Sequence, residues 1–186
     1  MHHLGFAKES DLPAILKLFR RVNAHLQEEN LLMWSHGYPD ESDFAEDISN
    51  HCLYVLKEGS RVLAMGSVSH DVTADFFPVS HSQRKTQDVL DKISWAGEPL
   101  CLLNRFMVDP AFEGKGVSSE LLSYIESLYK GSSWLLAAYS ENTRAVRFYE
   151  KHGFQNYGIY EDFEWGEVST QFLIGKKYKR DGLCAL

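Results

Sequence analysis

The chain has little cysteine, no cluster of basic residues and no long apolar run, and each shortage closes off a class of protein. Three cysteines in 186 residues, Cys52, Cys101 and Cys184, share no metal-binding or redox spacing. Cys52 and Cys101 fall in strand-like runs and read as small buried hydrophobes, in a reducing, cytoplasmic setting. The formal net charge is −7 with no basic block, which argues against nucleic acid as a main partner. That balance fits a cationic ligand weakly and solubility better. No run is long and apolar enough to cross a membrane, and no signal peptide is visible, so no membrane partner is expected. The eight histidines lack a ligand spacing such as H-E-x-x-H, so no metal is expected. His2-His3 reads as a chain start, not a metal site.

What is present is one legible stretch, running from Asn104 to Ser119. An apolar run ends at Asp109-Pro110, a short loop carries Gly114 and Gly116, and a helix begins. Its apolar positions, Val117, Leu121, Leu122, Ile125, Leu128 and Tyr129, have helical spacing. A helix start leaves several backbone N–H groups without partners and carries partial positive charge. Glycine lets that backbone approach a ligand, and a phosphate is the natural occupant.

Around this stretch the chain reads as a single domain over 1–186. His2 to Phe6 predicts a first strand. Ser10 or Asp11 is expected to cap a helix whose face is Leu12, Ile15, Leu16, Phe19, Val22 and Leu26. Leu31 to Asp40 predicts a loop, and Ser42 the start of a second helix with Phe44, Ala45 and Ile48 inward. Cys52–Leu56 and Val62–Val68 read as a hairpin joined at Lys57-Glu58-Gly59-Ser60. Residues 70–99 read as an insertion between strands, with a helix over 82–93 whose apolar face, Val89, Leu90 and Ile93, is thin. Leu100–Val108 is a strand, and Trp134–Ala138 has the continuous apolar run of a buried parallel strand. Asn142 is expected to cap a helix that Gly153 terminates. Phe154–Tyr160 and Val168–Ile174 are strands, joined by a polar hairpin around 162–166. The sum is an α+β fold: a mixed central sheet of about six to seven strands flanked by about four helices.

The glycine loop is not a dinucleotide fingerprint, because Gly114-x-Gly116 lacks the third glycine of G-x-G-x-x-G, and it is not a P-loop. Glu113-Gly114-Lys115-Gly116-Val117-Ser118 resembles the acetyl-CoA-binding motif of the GNAT superfamily of N-acetyltransferases, Gln/Arg-x-x-Gly-x-Gly/Ala. A second segment, Asn142-Thr143-Arg144-Ala145-Val146-Arg147-Phe148-Tyr149-Glu150-Lys151-His152-Gly153-Phe154, is similar to that family's Asn-x-x-Ala-x-x-x-Tyr-x-x-x-Gly-Phe. The resemblance covers nearly the whole chain and is strongest from Leu100 to Phe154. Two positions depart from the pattern. Glu113 stands where Gln or Arg is usual, and is expected to point outward. Ser118 stands where Gly or Ala is usual, and stays small enough to serve.

The resemblance implies acetyl transfer from acetyl-CoA, without a metal, to a primary amine of a small molecule or peptide by direct attack. It places CoA between splayed parallel strands, Leu100–Val108 and Trp134–Ala138. The pantetheine pairs with backbone near Met107 and Val108, and an N–H within Phe106 to Val108 polarises the thioester carbonyl. The pyrophosphate takes the N–H groups of Gly114, Lys115, Gly116, Val117, Ser118 and Ser119, and Asn142 contacts the CoA arm. Tyr149 is the acid that protonates the departing thiolate; packing on the Ala145 face is the alternative role. Dimers are common in that family, so a homodimer stands beside the monomer.

No acid lies on the strand before Asp109, and Asn104 can only orient water. Glu28, Glu29, Glu161 and Glu164 are the remaining candidates for a general base. Trp34, Tyr38 and Phe163 are candidates to line an acceptor cleft. Two rival readings remain: an acyltransferase using a longer acyl-CoA, and a CoA-binding or interaction module without catalysis.

Overall fold

In this computed structural model the described residues are 2–31, 33–34, 37–70, 99–164 and 167–178, with backbone alone for 160–164 and 167–168. The expected helix over 82–93, His36, Cys184 and the side chains of Glu161, Phe163 and Glu164 lie outside what is described. Among the described residues are seven strands, hydrogen-bonded in the order β1-β2-β3-β4-β5-β7-β6, and four α-helices. The chain divides into two compact units, residues 1–69 with 103–128 and residues 70–102 with 129–186.

The first unit holds β1 (His2–Phe6), α1 (Leu12–Glu28), α2 (Glu41–Ser49), β2 (Leu53–Glu58), β3 (Arg61–Ser69), most of β4 (Leu100–Val108) and α3 (Val117–Leu128). β1 pairs antiparallel with β2, and β2 with β3. Gly59-Ser60 form the two-residue turn of that second hairpin, as glycine in a short polar link predicts. From Leu53 to Leu56 every β2 residue is buried, because helices cover both sides. Leu53 and Val55 join α1 and α2 in a core with Ile15, Leu18, Phe44 and Met65. Tyr54 meets Tyr124 of α3 edge-on at 6.3 Å. Burying such side chains contributes about 1.5–3 kcal/mol each.

Local details differ from the sequence reading. Leu18, absent from the predicted face of α1, is fully buried there, since that face is broader than one stripe. Leu128, predicted inward, is exposed at the end of α3. The second helix is capped by Asp40, not Ser42. The Asp40 carboxylate accepts the N–H of Ser42 at 2.7 Å and of Asp43 at 3.2 Å, and Asp43 returns the bond to Asp40 N–H. This reciprocal box outcompetes a lone serine. The Asp11 carboxylate makes no cap to α1; it accepts from Lys57 Nζ at 2.8 and 2.9 Å. Cys52 lies just before β2 and is only half-buried, with its thiol donating to Asp47.

The second unit holds the start of β4, β5 (Ser133–Tyr139), α4 (Thr143–Lys151), β6 (Gln155–Glu164) and β7 (Glu167–Lys176). β4 runs parallel to β5 over three pairs, Leu100 to Leu102 with Ser133 to Leu135. β5 is antiparallel to β7, which forms a long hairpin with β6. Trp134, Leu135 and Leu136 are buried, as their continuous apolar run predicts.

Asp109, at the end of β4, ties the first unit together. It is 1% exposed. Its Oδ2 accepts from Arg21 of α1 (2.9 Å) and Arg61 of β3 (2.7 Å). Its Oδ1 accepts the Ala111 N–H at 3.1 Å. Burial alone would raise its pKa, but the Arg61 hydrogen bond, the Ala111 amide and the two guanidinium charges outweigh it and hold the carboxyl below the usual range. A depressed folded-state pKa stabilises the fold above the unfolded carboxylate value, and that contribution is lost as pH falls through the folded value. Asp109→Asn is therefore expected to cost about 2 kcal/mol at neutral pH. It should also flatten the loss of stability between pH 5 and pH 2 (about, for a carboxylate). Urea unfolding across that range checks both.

Candidate active site

The phosphate-type loop belongs to the first unit, and its shape follows from Asp109 onward. Pro110–Phe112 form a 3-10 turn, entered through the Asp109 bond to Ala111. The Phe112 N–H donates to Asp109 O at 2.7 Å, Glu113 to Pro110 O at 3.2 Å and Lys115 to Phe112 O at 3.2 Å. The loop is thus closed by its own backbone before any ligand arrives. Gly114 (φ 70°) and Gly116 (φ 83°) take left-handed conformations. A Cβ built on either would meet no heavy atom within 4 Å. Glycine is required here by the backbone angle, and the space above both residues is open. α3 begins at Val117, whose side chain is 2% exposed and anchors the helix in the core. The Glu120 N–H already donates to Gly116 O. Helix geometry gives the N–H groups of Val117 and Ser118 no intrahelical acceptor, and the helix dipole makes that end positive.

The charged side chains of the loop are partly accounted for. Lys115 is exposed, its Nζ 5.1 Å from the centroid of the Phe112 ring, and Arg61 lies 5.0 Å from the same ring. The Glu113 carboxylate lies 3.9 Å from His25 Nε2 on α1.

β4 approaches this loop through an irregular residue. Arg105 has φ 48°, a left-handed conformation rare for a non-glycine residue inside a strand. Its guanidinium is held by Asp47 at 2.7 Å and Asp43 at 3.5 Å, both on α2, and lies 5.4 Å from the Tyr38 ring centroid. Burial opposes its charge, but Tyr38, Asp47 and Asp43 together raise its pKa. Burial raises the pKa of Asp47 against the pull of Arg105. Next along the strand, Phe106 and Val108 are half-buried and Met107 is 2% exposed in the core. Gly66 of β3 lets the Phe106 ring approach: a Cβ there would stand 2.7 Å from Phe106 Cδ2.

Asn142 and Tyr149 belong to the second unit. Asn142 caps α4, its Oδ1 accepting the Ala145 N–H at 3.1 Å. At the other end Gly153 (φ 84°) turns the chain. The Phe154 N–H reaches Tyr149 O at 3.1 Å and the Gly153 N–H reaches Glu150 O at 3.0 Å. The Tyr149 and Phe154 rings meet at 5.5 Å. This is a Schellman termination with its hydrophobic contact. His152 also suits the helix end, with Nδ1 2.7 Å from Phe148 O. Tyr149 is 7% exposed, and burial raises its pKa well above a free phenol. A cavity of about 210 Å³ opens beside α4, lined by Ser140, Thr143, Val146, Arg147, Glu150 and Phe172.

Of the acceptor-site candidates, Trp34 packs on Phe19 at 5.7 Å, against the α1–α2 core. The Asn104 amide donates to Ser69 Oγ at 3.3 Å. Glu28 and Glu29 both face His25.

The sequence profile described as "Acetyltransferase (GNAT) family" matches residues 19–154, well over half of the chain. The chain belongs to the GNAT acetyltransferase family. It is similar to the spermine/spermidine N(1)-acetyltransferase of Bacillus subtilis, with 33% identity over 75 residues, 38% of this chain and 49% of that protein. It thus spans about half the length of the curated relatives it matches. Among solved structures it resembles a GNAT family acetyltransferase from Streptococcus agalactiae, with TM-score 0.73, 17% identity and 96% of each chain covered. It also resembles the PaiA N-acetyltransferase of Thermoplasma acidophilum in complex with coenzyme A, with TM-score 0.64, 15% identity and coverage of 96% and 99%. At these identities the structural likeness speaks for the fold: the seven-stranded mixed sheet is GNAT-like.

Because Gly116 is demanded by its backbone angle and not by space, Gly116→Ala is expected to fold with a loss of about 1–2 kcal/mol. Gly116→Asn should lose less, since Asn tolerates the left-handed region. Thermal unfolding of the two variants checks the ranking.

Proposed function

We propose that this GNAT protein transfers an acetyl group from acetyl-CoA to a primary amine of a small molecule or peptide by direct attack. The observation that carries the reading is the glycine loop, closed by its own hydrogen bonds and open above Gly114 and Gly116, at the positive end of α3. A diphosphate linker is the ligand such a loop suits. Backbone N–H groups of Gly114 and of Gly116 to Ser119 bind it, while Lys115, whose own N–H closes the loop on Phe112 O, supplies charge from the rim. Backbone at Phe106, Met107 and Val108 serves the pantetheine and the thioester carbonyl, and Asn142 serves the CoA arm.

Attack on the thioester forms a tetrahedral oxyanion, whose collapse breaks the C–S bond and needs a proton at sulfur. Tyr149 carries that proton in this proposal. Its raised pKa keeps the phenol protonated through the neutral range, so the donor is present when the thiolate leaves. The amine must arrive neutral, and its proton leaves through water. A net charge of −7 is compatible with a cationic amine, though it fits solubility better. The curated relative acts by its name on spermine and spermidine, so polyamines head the acceptor panel. The reading further takes 1–186 as one domain, with 70–99 inserted, working in the cytoplasm as a monomer or homodimer. Among the described residues no helix is long and apolar enough to cross a membrane.

Acetyl-CoA is expected to raise the melting temperature, and free CoA thiol should appear with at least one amine from a panel of polyamines, amino acids, aminoglycosides and peptide N-termini. A thermal shift without thiol release for any amine would favour a CoA-binding module instead, and release only with longer acyl donors would change the donor. Tyr149→Phe is expected to lower kcat by about 100-fold with acetyl-CoA affinity nearly unchanged; an unaltered kcat would remove Tyr149 from the chemistry.

A further inference from the structure

A carboxylate directly before a diphosphate-binding loop is an electrostatic contradiction, and the first unit contains an answer to it. Glu113 precedes Gly114, and its backbone is fixed by its N–H bond to Pro110 O. Only its side-chain rotamer decides where the charge lies. The carboxylate is directed to α1, where Oε1 stands 3.9 Å from His25 Nε2. The same imidazole faces Glu29 at 3.5 Å through Nε2 and Glu28 at 3.9 Å through Nδ1. Three carboxylates from two elements therefore share one histidine. Arg21, one turn earlier on α1, is committed to Asp109. The site also lies at the C-terminal end of α1, where the helix dipole is negative and repels a carboxylate.

We propose that His25 is a positioning residue for coenzyme binding: by holding Glu113 against α1, it keeps a negative charge off the amides that receive the pyrophosphate. The inference rests on the reading of the loop as a CoA site. Without the imidazole, the charges of Glu28 and Glu29 and the end of α1 push Glu113 away from α1. The position that departs from the motif is then tolerated because a residue 88 positions away compensates it, on the spacing of His25 and Glu113 in the chain.

The test is calorimetric titration of the full chain with CoA, for the wild type, His25→Ala, Glu113→Gln and the double variant. His25→Ala is expected to weaken CoA about tenfold, equivalent to about 1.4 kcal/mol. Glu113→Gln should bind at least as tightly as wild type, and adding it to His25→Ala should restore that affinity. A purely structural role for His25 would not be rescued by a change at Glu113. Acetyl-pantetheine, which lacks the pyrophosphate, should bind all four proteins alike. His25→Gln, whose side chain carries no charge, should weaken CoA as His25→Ala does, because 3.9 Å is an ion-pair distance and too long for a hydrogen bond. Unchanged CoA affinity in His25→Ala, or a double variant as weak as His25→Ala, overturns the proposal and leaves the CoA reading standing. A wild type that binds no CoA overturns both.

Discussion

One buried carboxylate holds the working end of the first unit in place. Asp109 accepts from two arginines on different elements and from the first amide of the turn that follows it. A strand that ends on solvent would leave the next ten residues free to fray. Ending on Asp109, β4 hands over to a turn whose start is already bonded to α1 and β3. Pro110 then contributes a fixed φ where no donor is needed. The two arginines keep part of their surface in water, 39% and 48% exposed. The pair therefore avoids most of the desolvation cost that makes fully buried ion pairs poor stabilisers. Arg61 serves a second purpose by lying near Phe112, so the same cation supports the anchor and the loop.

Much of the fold was legible because its signals are local. The alternation and apolar runs of β2 to β5 named their strands, and glycine named the turns after β2 and α4. The parallel character of β5 was readable from Trp134 to Leu136, since only a strand covered on both faces tolerates such a run. Caps were less legible: Asp40 and Ser42 are both good cap residues, and the choice depended on Asp43 Oδ2 answering the Asp40 N–H. Leu18 and Leu128 were misplaced for a different reason. Face assignment from spacing assumes one neighbour, whereas α1 meets several elements and the last residue of α3 meets solvent.

The candidate site divides in the same way. The glycine loop and the Asn142-to-Phe154 segment announced themselves as contiguous motifs. The second of these is legible partly because it is a folding signal: Asn142 starts α4, Tyr149 accepts the closing hydrogen bond, and Gly153 and Phe154 complete the stop. The packing role weighed for Tyr149 is thus real, and it is compatible with chemistry because it fixes the phenol ring. What the sequence concealed are contacts between distant positions. Nothing in the spacing of Arg21, Arg61 and Asp109, or of His25 and Glu113, marks them as partners. The left-handed Arg105 was equally hidden, since its guanidinium is held by Asp47 and Asp43 on α2, far from it in the chain.

The two described thiols have a practical bearing on how turnover is read. Cys52 donates to the Asp47 backbone and carboxylate. Burial first, then the neighbouring carboxylate, pushes its pKa up to about 12. Cys101 is fully enclosed, and burial raises its pKa too. Disulfide reagents report thiolates, the form neither side chain adopts near neutrality. In the folded protein both are expected to react slowly with such reagents, so colour developed early in an assay reports sulfur released from the donor and not sulfur belonging to these two cysteines.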